Sequence, residues 1–363
     1  MVLTVVAFHL GTRVLAWSAL VVAAATTDKS FGAVVTSWDG KWYGRIVTGG
    51  YPHPLPMNAA GQVVTNPAAF FPLFPYLLKP LVLGGVPYWL AVTLLVPVFS
   101  TVAALAIAAT VRLYSNERVG VLTACCWSAF PSAGVLSVAY TEGLFTMLAA
   151  ACLYALLRHR WLLAGILAAL AGASRPTGVV VVAAVGVAVL EALIRRREWR
   201  SLVALIVAPI GTLLALGMIA VQTGRWDAWF ITEREGWRMH FDGGLSLARW
   251  TIQSIAAGNE PLRLAFVGAV LLVIALTVVA VVQRAPLPVL TYLVLGIVLA
   301  VGQGGEMFLS PLRYALPIFP FLVPMAAWLT GRRSPLVWLL LTAAALASAA
   351  VTFYYFALSP GAP

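Results

Sequence analysis

The stretch YWLAVTLLVPVFSTVAALAIAATV, residues 88–111, decides the fold class. It contains no Asp, Glu, Lys or Arg. At about 1.5 Å per residue, a helix of that length exceeds the roughly 30 Å hydrocarbon core of a bilayer. Working outward, the apolar runs predict further spans near 3–26, 119–135, 140–157, 161–174, 177–194, 201–222, 262–283, 286–302, 313–330 and 335–356, eleven in all. The runs at 119–135 and 161–174 are short enough to be tilted pieces or half-helices. Composition agrees: 62% of residues are hydrophobic, 10% are charged, and the mean hydropathy is +0.95. Soluble domains carry about 25% charged residues, so an ordinary soluble enzyme is excluded, and so is a disordered chain. The expectation is an all-α polytopic membrane protein, a single integral domain over residues 1–363.

The formal charge is +11, from 23 Lys and Arg against 12 Asp and Glu. The excess sits in small clusters between apolar runs: Arg112 with Arg118, Arg158-His159-Arg160, Arg195-Arg196-Arg197 with Arg200, Arg284, and Arg332-Arg333. That placement points to membrane orientation and away from nucleic acid. With eleven spans these five loops fall on one side, and the positive-inside rule makes that side the cytoplasm. A cell-membrane protein with its amino terminus inside and its carboxyl terminus outside follows. The first run is longer than a signal-peptide core and lacks a cleavage site, so it reads as a retained span carrying His9 and Arg13. The outer side then receives two long loops, about 27–87 and 223–261. It also receives nine of the acids: Asp28, Asp39, Glu142, Asp227, Glu233, Glu235, Asp242, Glu260 and Glu306. Chemistry is therefore expected on the extracytoplasmic face.

Several sites are missing. Cys125, Cys126 and Cys152 lie inside apolar runs without metal spacing. His9, His53, His159 and His240 form no H-E-x-x-H motif, and there is no P-loop, G-x-S-x-G or dinucleotide fingerprint. No inverted pair of halves of the transporter kind is visible.

The first outer loop opens with Ser37-Trp38-Asp39-Gly40-Lys41-Trp42-Tyr43-Gly44-Arg45-Ile46. Its aromatic and basic residues suit a helix lying at headgroup depth. Asp39 stands at the expected helix start, where the dipole and free amides favour an ionised carboxylate. Two readings stand, a general base toward a hydroxyl or a simple N-cap. The run Asn66-Pro67-Ala68-Ala69-Phe70-Phe71-Pro72-Leu73-Phe74-Pro75 is too apolar for a solvated loop. It is expected to pack on the helices and wall a groove for a lipid chain.

Other ionisable groups near the membrane need a reason. Glu142 follows Tyr140-Thr141, Arg175 sits in Ser174-Arg175-Pro176-Thr177-Gly178, and Arg313 precedes Tyr314. The arginines suit either a phosphate or structural ion pairs with Glu142 and Glu306. In the second loop Trp226, Trp229, Phe230, Glu233 and Trp237 fall on one stripe of an expected interfacial helix, with His240 and Asp242 as weak candidates to face a site.

Taken in order, Trp38-Asp39-Gly40 to Gly50-Tyr51, Phe70-Phe71-Pro72-Leu73-Phe74-Pro75, Tyr140-Thr141-Glu142-Gly143-Leu144-Phe145, Ser174-Arg175-Pro176-Thr177-Gly178, and Arg313-Tyr314 with Pro317 and Pro320 resemble the PIG-V-like mannosyltransferases. These are GT-C membrane glycosyltransferases, and the resemblance spans about residues 37–320. It implies a multi-span enzyme that moves a mannosyl or similar unit from a polyprenyl-phosphate sugar to a hydroxyl on the non-cytoplasmic face, with inversion. The acceptor is a lipid, a glycan or a protein. Asp39 occupies the position of the family's first-loop acid and would take the acceptor proton. Arg175 and Arg313 would neutralise the leaving phosphate, with Lys41, Arg45 and His53 as weaker candidates. Trp38 and Tyr314 join the expected substrate-binding set, and Glu142 would position the acceptor or orient an arginine. No D-x-D arrangement surrounds Asp39, so metal independence and no cofactor are expected. The competing readings are a multi-span transporter or lipid flippase, and an inactive partner subunit.

Overall fold

Lipid offers backbone amides no partners, so chains of this composition fold as helices that satisfy their own hydrogen bonds. A computed structural model describes residues 1–257, 260–305 and 310–359. Glu306, expected to pair with Arg313, lies outside the described residues. Six helices are long and apolar enough to cross a membrane: Val2–Thr26, Tyr88–Arg112, Gly178–Arg196, Trp199–Thr223, Pro261–Val282 and Ser334–Leu358. Their outward faces expose large apolar side chains such as Leu94, Val98, Leu213, Leu214 and Leu339, which suits a lipid surround.

The remaining expected spans are shorter. Four appear as Glu142–Leu157, Trp161–Ser174, Leu287–Val301 and Phe319–Thr330. The run expected at 119–135 is a helix over Glu117–Ser128, then a turn and a 3-10 segment Ala133–Ser137. Twelve helical residues rise only about 18 Å, well short of a bilayer core. Length alone therefore suits six helices among the described residues to a full crossing, and the shorter pieces pack against them while still exposing apolar side chains such as Leu162, Leu163 and Leu295. The broken segment is buried throughout, from Trp127 and Ser128 to Leu136, Ser137 and Tyr140.

Two polar clusters hold this interior. His9 lies between the Ser128 hydroxyl at 2.9 Å and the Ser100 hydroxyl at 3.0 Å. Arg13, 1% exposed, donates to the carbonyls of Ala133 at 2.5 Å and Ser128 at 3.0 Å and to the Ser137 hydroxyl at 3.1 Å. The carbonyls that the interrupted helix leaves without helical partners thus find a cation. On its other side the same segment binds the chain around Arg313. Trp127 Nε1 donates to the Leu316 carbonyl at 2.9 Å, and the Ser132 hydroxyl to the Leu312 carbonyl at 3.1 Å.

Helix ends locate the functional region. Glu142–Leu157 and Trp161–Ser174 pack together as a hairpin joined by Arg158-His159-Arg160. Glu142 and Arg175 therefore lie at the opposite end from that basic turn. The turn in its place meets the next basic cluster, His159 lying 3.0 Å from Arg196 Nη1.

The first outer loop is built as expected at its start, with a helix over Asp39–Gly49. Gly40 sits where a Cβ would come within 2.8 Å of the Ala139 side chain, and Ala139 donates its N–H to the Val35 carbonyl at 2.9 Å. The apolar run folds inward as a 3-10 turn Pro67–Ala69 and a helix Leu73–Leu83, burying Ala68, Phe71 and Phe74. The second outer loop differs from the single interfacial helix expected. It has one α-helical turn, Ala228–Ile231, then a π-helical turn, Thr232–Gly236, then a strand His240–Phe241 paired antiparallel with Gln303–Gly304, and a helix Leu245–Ala257. The helical turn begins at Ala228, after Trp226, so the expected stripe loses its first member. Trp226 is left 84% exposed outside it, while Trp229 and Trp237 turn onto the first loop.

Candidate active site

Asp39 is the first residue of its helix and does not cap it. Trp38 occupies the cap position with φ +53° and makes no capping bond. The Asp39 carboxylate is instead engaged across the molecule, where Oδ2 accepts from Arg313 Nη1 at 2.7 Å. Its side chain is 22% exposed against 5% for Arg313. Arg313 reaches it from the short helix Pro311–Ala315. The guanidinium stacks between two rings, 5.1 Å from Tyr140 and 4.9 Å from Tyr314, and donates to the Tyr314 hydroxyl at 3.1 Å.

Beside this pair lies a second. Arg175, at the end of Trp161–Ser174, places Nη1 2.7 Å from Glu142 Oε1 and 3.3 Å from the Thr141 hydroxyl. Glu142 is 1% exposed, and its Oε1 also lies 3.9 Å from Arg313 Nε. Two arginines and two carboxylates thus form one chain of charges, formally neutral. Burying such groups is costly unless they are paired. Pairing here is incomplete, because Arg313 Nε and both Glu142 oxygens lack a hydrogen-bond partner of good geometry among the described residues.

The cluster opens into a cavity of about 420 Å³. Its polar wall carries Asp39, Glu233, Arg175, Arg313, Tyr314 and His240. Its apolar walls come from the folded-in first loop (Phe70, Phe71), from Phe145 and Val180, and from Leu299, Ala300 and Ile318. An aromatic brace closes one side. Trp237 meets Trp42 and Phe70 edge-on at 5.5 Å each, and Trp229 Nε1 donates to the Ala69 carbonyl at 3.2 Å. One charged end and a long apolar remainder suit an amphiphile with an anionic head.

Of the residues expected at a site, Asp39, Arg175, Arg313 and Tyr314 line the cavity, and Glu142 stands behind them, braced on Arg175. Trp38, Lys41, Arg45 and His53 do not line it. Lys41 and Arg45 are exposed, Arg45 stacking on Trp42 at 4.5 Å. At about 100° per residue they leave the helix on the side away from Asp39. Tyr43, four residues on, shares the Asp39 face and does line the cavity. His53 is exposed and lies against the Gly224 turn. Asp242 also points elsewhere, accepting from Gly244 N–H and Ser246 N–H at the head of the helix Leu245–Ala257. The pairing of Arg175 with Glu142 follows one of the two sequence readings. The partner of Arg313 among the described residues is Asp39, which sequence spacing did not indicate. Glu233 was singled out only as part of an aromatic stripe. Its one distinguishing signal was being an acid inside a run of tryptophans. No group of three or more His, Cys, Asp or Glu able to hold a metal occurs among the described residues.

Comparison with known proteins places this architecture. Residues 72–223 match the family described as dolichyl-phosphate-mannose-protein mannosyltransferase, a segment that includes Glu142 and Arg175 but neither Asp39 nor Arg313. No curated protein sequence matches the chain. Among solved structures, ArnT from Cupriavidus metallidurans bound to undecaprenyl phosphate has a TM-score of 0.52 at 15% identity, covering 83% of this chain and 56% of that one. The Archaeoglobus fulgidus oligosaccharyltransferase complexed with Zn and sulfate has 0.51 at 14%, covering 95% and 53%. The same archaeal AglB with an inhibitory peptide and a dolichol-phosphate has 0.52 at 14%, covering 98% and 56%. The chain thus spans a little over half the length of these structures. Its fold is similar to that of these two membrane glycosyltransferases, and its central segment matches the mannosyltransferase family.

Proposed function

We propose that the chain is a membrane glycosyltransferase that moves a mannosyl or similar unit from a polyprenyl-phosphate sugar to a hydroxyl acceptor, with inversion at the anomeric carbon and Asp39 as general base. One observation carries this reading: a carboxylate at a helix start shares a cavity with two buried arginines, and the rest of that cavity is apolar. The arginines give the donor phosphate a fork of charged donors, and the apolar walls take the adjoining prenyl units. A neighbour of the same fold carries undecaprenyl phosphate and another a dolichol-phosphate.

In the proposed step Asp39 takes the proton of the acceptor hydroxyl as its oxygen bonds to the anomeric carbon. The bond from that carbon to the phosphate oxygen breaks, and its electron pair leaves with the polyprenyl phosphate. Arg313 and Arg175 meet the charge that grows on the phosphate. Because Arg313 also holds Asp39, arrival of a phosphate on the guanidinium loosens that contact and frees the base. The resemblance to PIG-V-like enzymes favours mannose. The basic turns lie at the far end of the hairpin from Glu142 and Arg175. Under the positive-inside rule this supports an extracytoplasmic cavity.

The test is transfer. Purified protein receives polyprenyl-phosphate mannose labelled in the sugar, with membrane lipid extract as acceptor source. The reading predicts a new labelled glycoside, formed by the wild type and lost in Asp39→Asn. Saturable counterflow of the lipid-linked sugar in liposomes, with no glycoside formed, would establish the transporter reading instead.

A further inference from the structure

We propose that Glu233 is a second working group of this cavity, a neutral carboxylic acid that donates a hydrogen bond to the phosphate oxygen departing from the sugar. The inference rests on the proposed transfer reaction and assigns the part of the site that faces the leaving group.

Glu233 differs from the other cavity acid in its partners. Asp39 is held by Arg313. Glu233 forms no ion pair and no side-chain hydrogen bond among the described residues, although it lines the same cavity and is half-buried. A free loop carboxylate would turn to water. This one is held in place by its neighbours. Thr232, fully buried, accepts from Asn66 Nδ2 at 3.2 Å, and Glu235 Oε2 accepts from Val63 N–H at 3.0 Å. Gly236 passes so close to Val64 that a Cβ would lie 2.9 Å from its carbonyl oxygen. The Glu233 carbonyl accepts from Met239 N–H at 2.9 Å. The segment is a π-turn, a conformation that concentrates at functional positions. Thr232 and Glu235 anchor the turn to the first outer loop, and Glu233 between them lines the cavity.

Its surroundings favour the protonated form. Burial, and then the negative charge of Asp39, push the Glu233 carboxyl up to about 8. The groups facing it across the cavity are Asp39 and Tyr43 from the first-loop helix, Arg175 from the turn after Trp161–Ser174, Arg313 and Tyr314 from Pro311–Ala315, and His240 from the strand. Arg234, Glu235 and Arg238 share its own segment. Two carboxyls in one cavity with protonation states driven apart make an acid and a base. A neutral carboxyl can donate to a phosphate oxygen, whereas an ionised one would repel it. As the anomeric C–O bond breaks, the leaving phosphate goes from singly charged diester to monoester, gaining acceptor strength when a fixed donor helps most. Asp39 receives the acceptor proton, and Glu233 donates without losing its own, so the step balances with no added reactant.

The experiment compares label transfer from polyprenyl-phosphate mannose against pH for the full-length wild type, Glu233→Gln and Glu233→Ala. The wild type is expected to lose rate as pH rises through about 8, because ionised Glu233 no longer donates. Glu233→Gln keeps a donor of the same shape, so its rate at pH 7 should stay within about threefold of wild type and its alkaline limb should vanish. Glu233→Ala should lose about 10²- to 10³-fold in kcat with little change in KM, the scale of one missing oxyanion-stabilising donor. A Gln variant as slow as the Ala variant, or one that keeps the wild-type alkaline limb, overturns the assignment. So does a wild type whose rate stays flat through pH 9 while transfer proceeds. Absence of any transfer by wild type would instead remove the glycosyltransferase reading on which the role of Glu233 depends.

Discussion

Two regions of this molecule bury arginine, and they do so to different ends. In the first helix Arg13 sits among Ser128, Ala133 and Ser137, binding oxygens that an interrupted helix leaves over, and it does not line the active-site cavity. At the other site Arg175 and Arg313 bind carboxylates and line a cavity. Each site leaves one arginine Nε without a hydrogen-bond partner among the described residues, that of Arg13 and that of Arg313, so spare donors do not separate them. A cation fixed on backbone carbonyls closes a structure. A cation set on a carboxylate, with space in front, is one that an anion can recruit. The difference between a structural and a chemical arginine in an apolar chain is therefore read from partner and cavity, not from burial, which is nearly complete for Arg13 and Arg313 alike.

The sharpest way to break this contrast is to exchange charge for shape at each site. Asp39→Asn keeps the shape and removes the base. Transfer per folded molecule should fall by about 10²- to 10⁴-fold, the range of a general base, a loss beyond what the weakened hold on Arg313 costs in stability. Arg13→Met should do the reverse. It leaves buried carbonyls without a donor, at about 1–3 kcal/mol each, so the unfolding midpoint in detergent should drop by several degrees while turnover per folded molecule is kept. Equal losses of activity in the two variants would erase the distinction.

Arg175→Gln tests the pairing. It leaves Glu142 buried and uncompensated, at about 3–5 kcal/mol, and the double variant Arg175→Gln with Glu142→Gln should recover most of that stability while remaining unable to hold donor. Unfolding curves over the four proteins measure the coupling. At the small end, Lys41→Ala, Arg45→Ala and His53→Ala should each change kcat/KM less than about twofold, because solvated side chains away from a site act only through screened charge.

The first contrast was partly visible in the sequence, and the reasons are physical. Uninterrupted apolar runs fixed the long helices, since few other patterns survive in lipid. The helix start at Asp39 followed from local residues, and local rules carry that far. Helical periodicity also held the information that Tyr43 shares the Asp39 face while Lys41 and Arg45 do not. The sequence reading names Lys41 and Arg45 and passes over Tyr43, because it does not separate the faces. Arg313 engages Asp39 across 274 positions of sequence, and no spacing rule reaches that far. The stripe around Glu233 was over-extended for another reason: the helical turn begins only at Ala228, so a count at 3.6 residues per turn placed Trp226 with Trp229 and Trp237, although it precedes the turn and lies in solvent. The division of Glu117–Ser137 into a helix and a 3-10 piece depends on His9 and Arg13 accepting its loose ends, which a hydropathy window does not record.

The most direct test of the central claim separates holding the donor from using it. Polyprenyl-phosphate mannose binding and sugar transfer are measured on the same preparations of wild type, Asp39→Asn and Arg313→Met. The account predicts that Asp39→Asn binds donor at least as tightly as wild type, because Arg313 is freed from its carboxylate, yet transfers almost none. It predicts that Arg313→Met loses both. Undiminished transfer by Asp39→Asn, or unchanged donor binding by Arg313→Met, would contradict it.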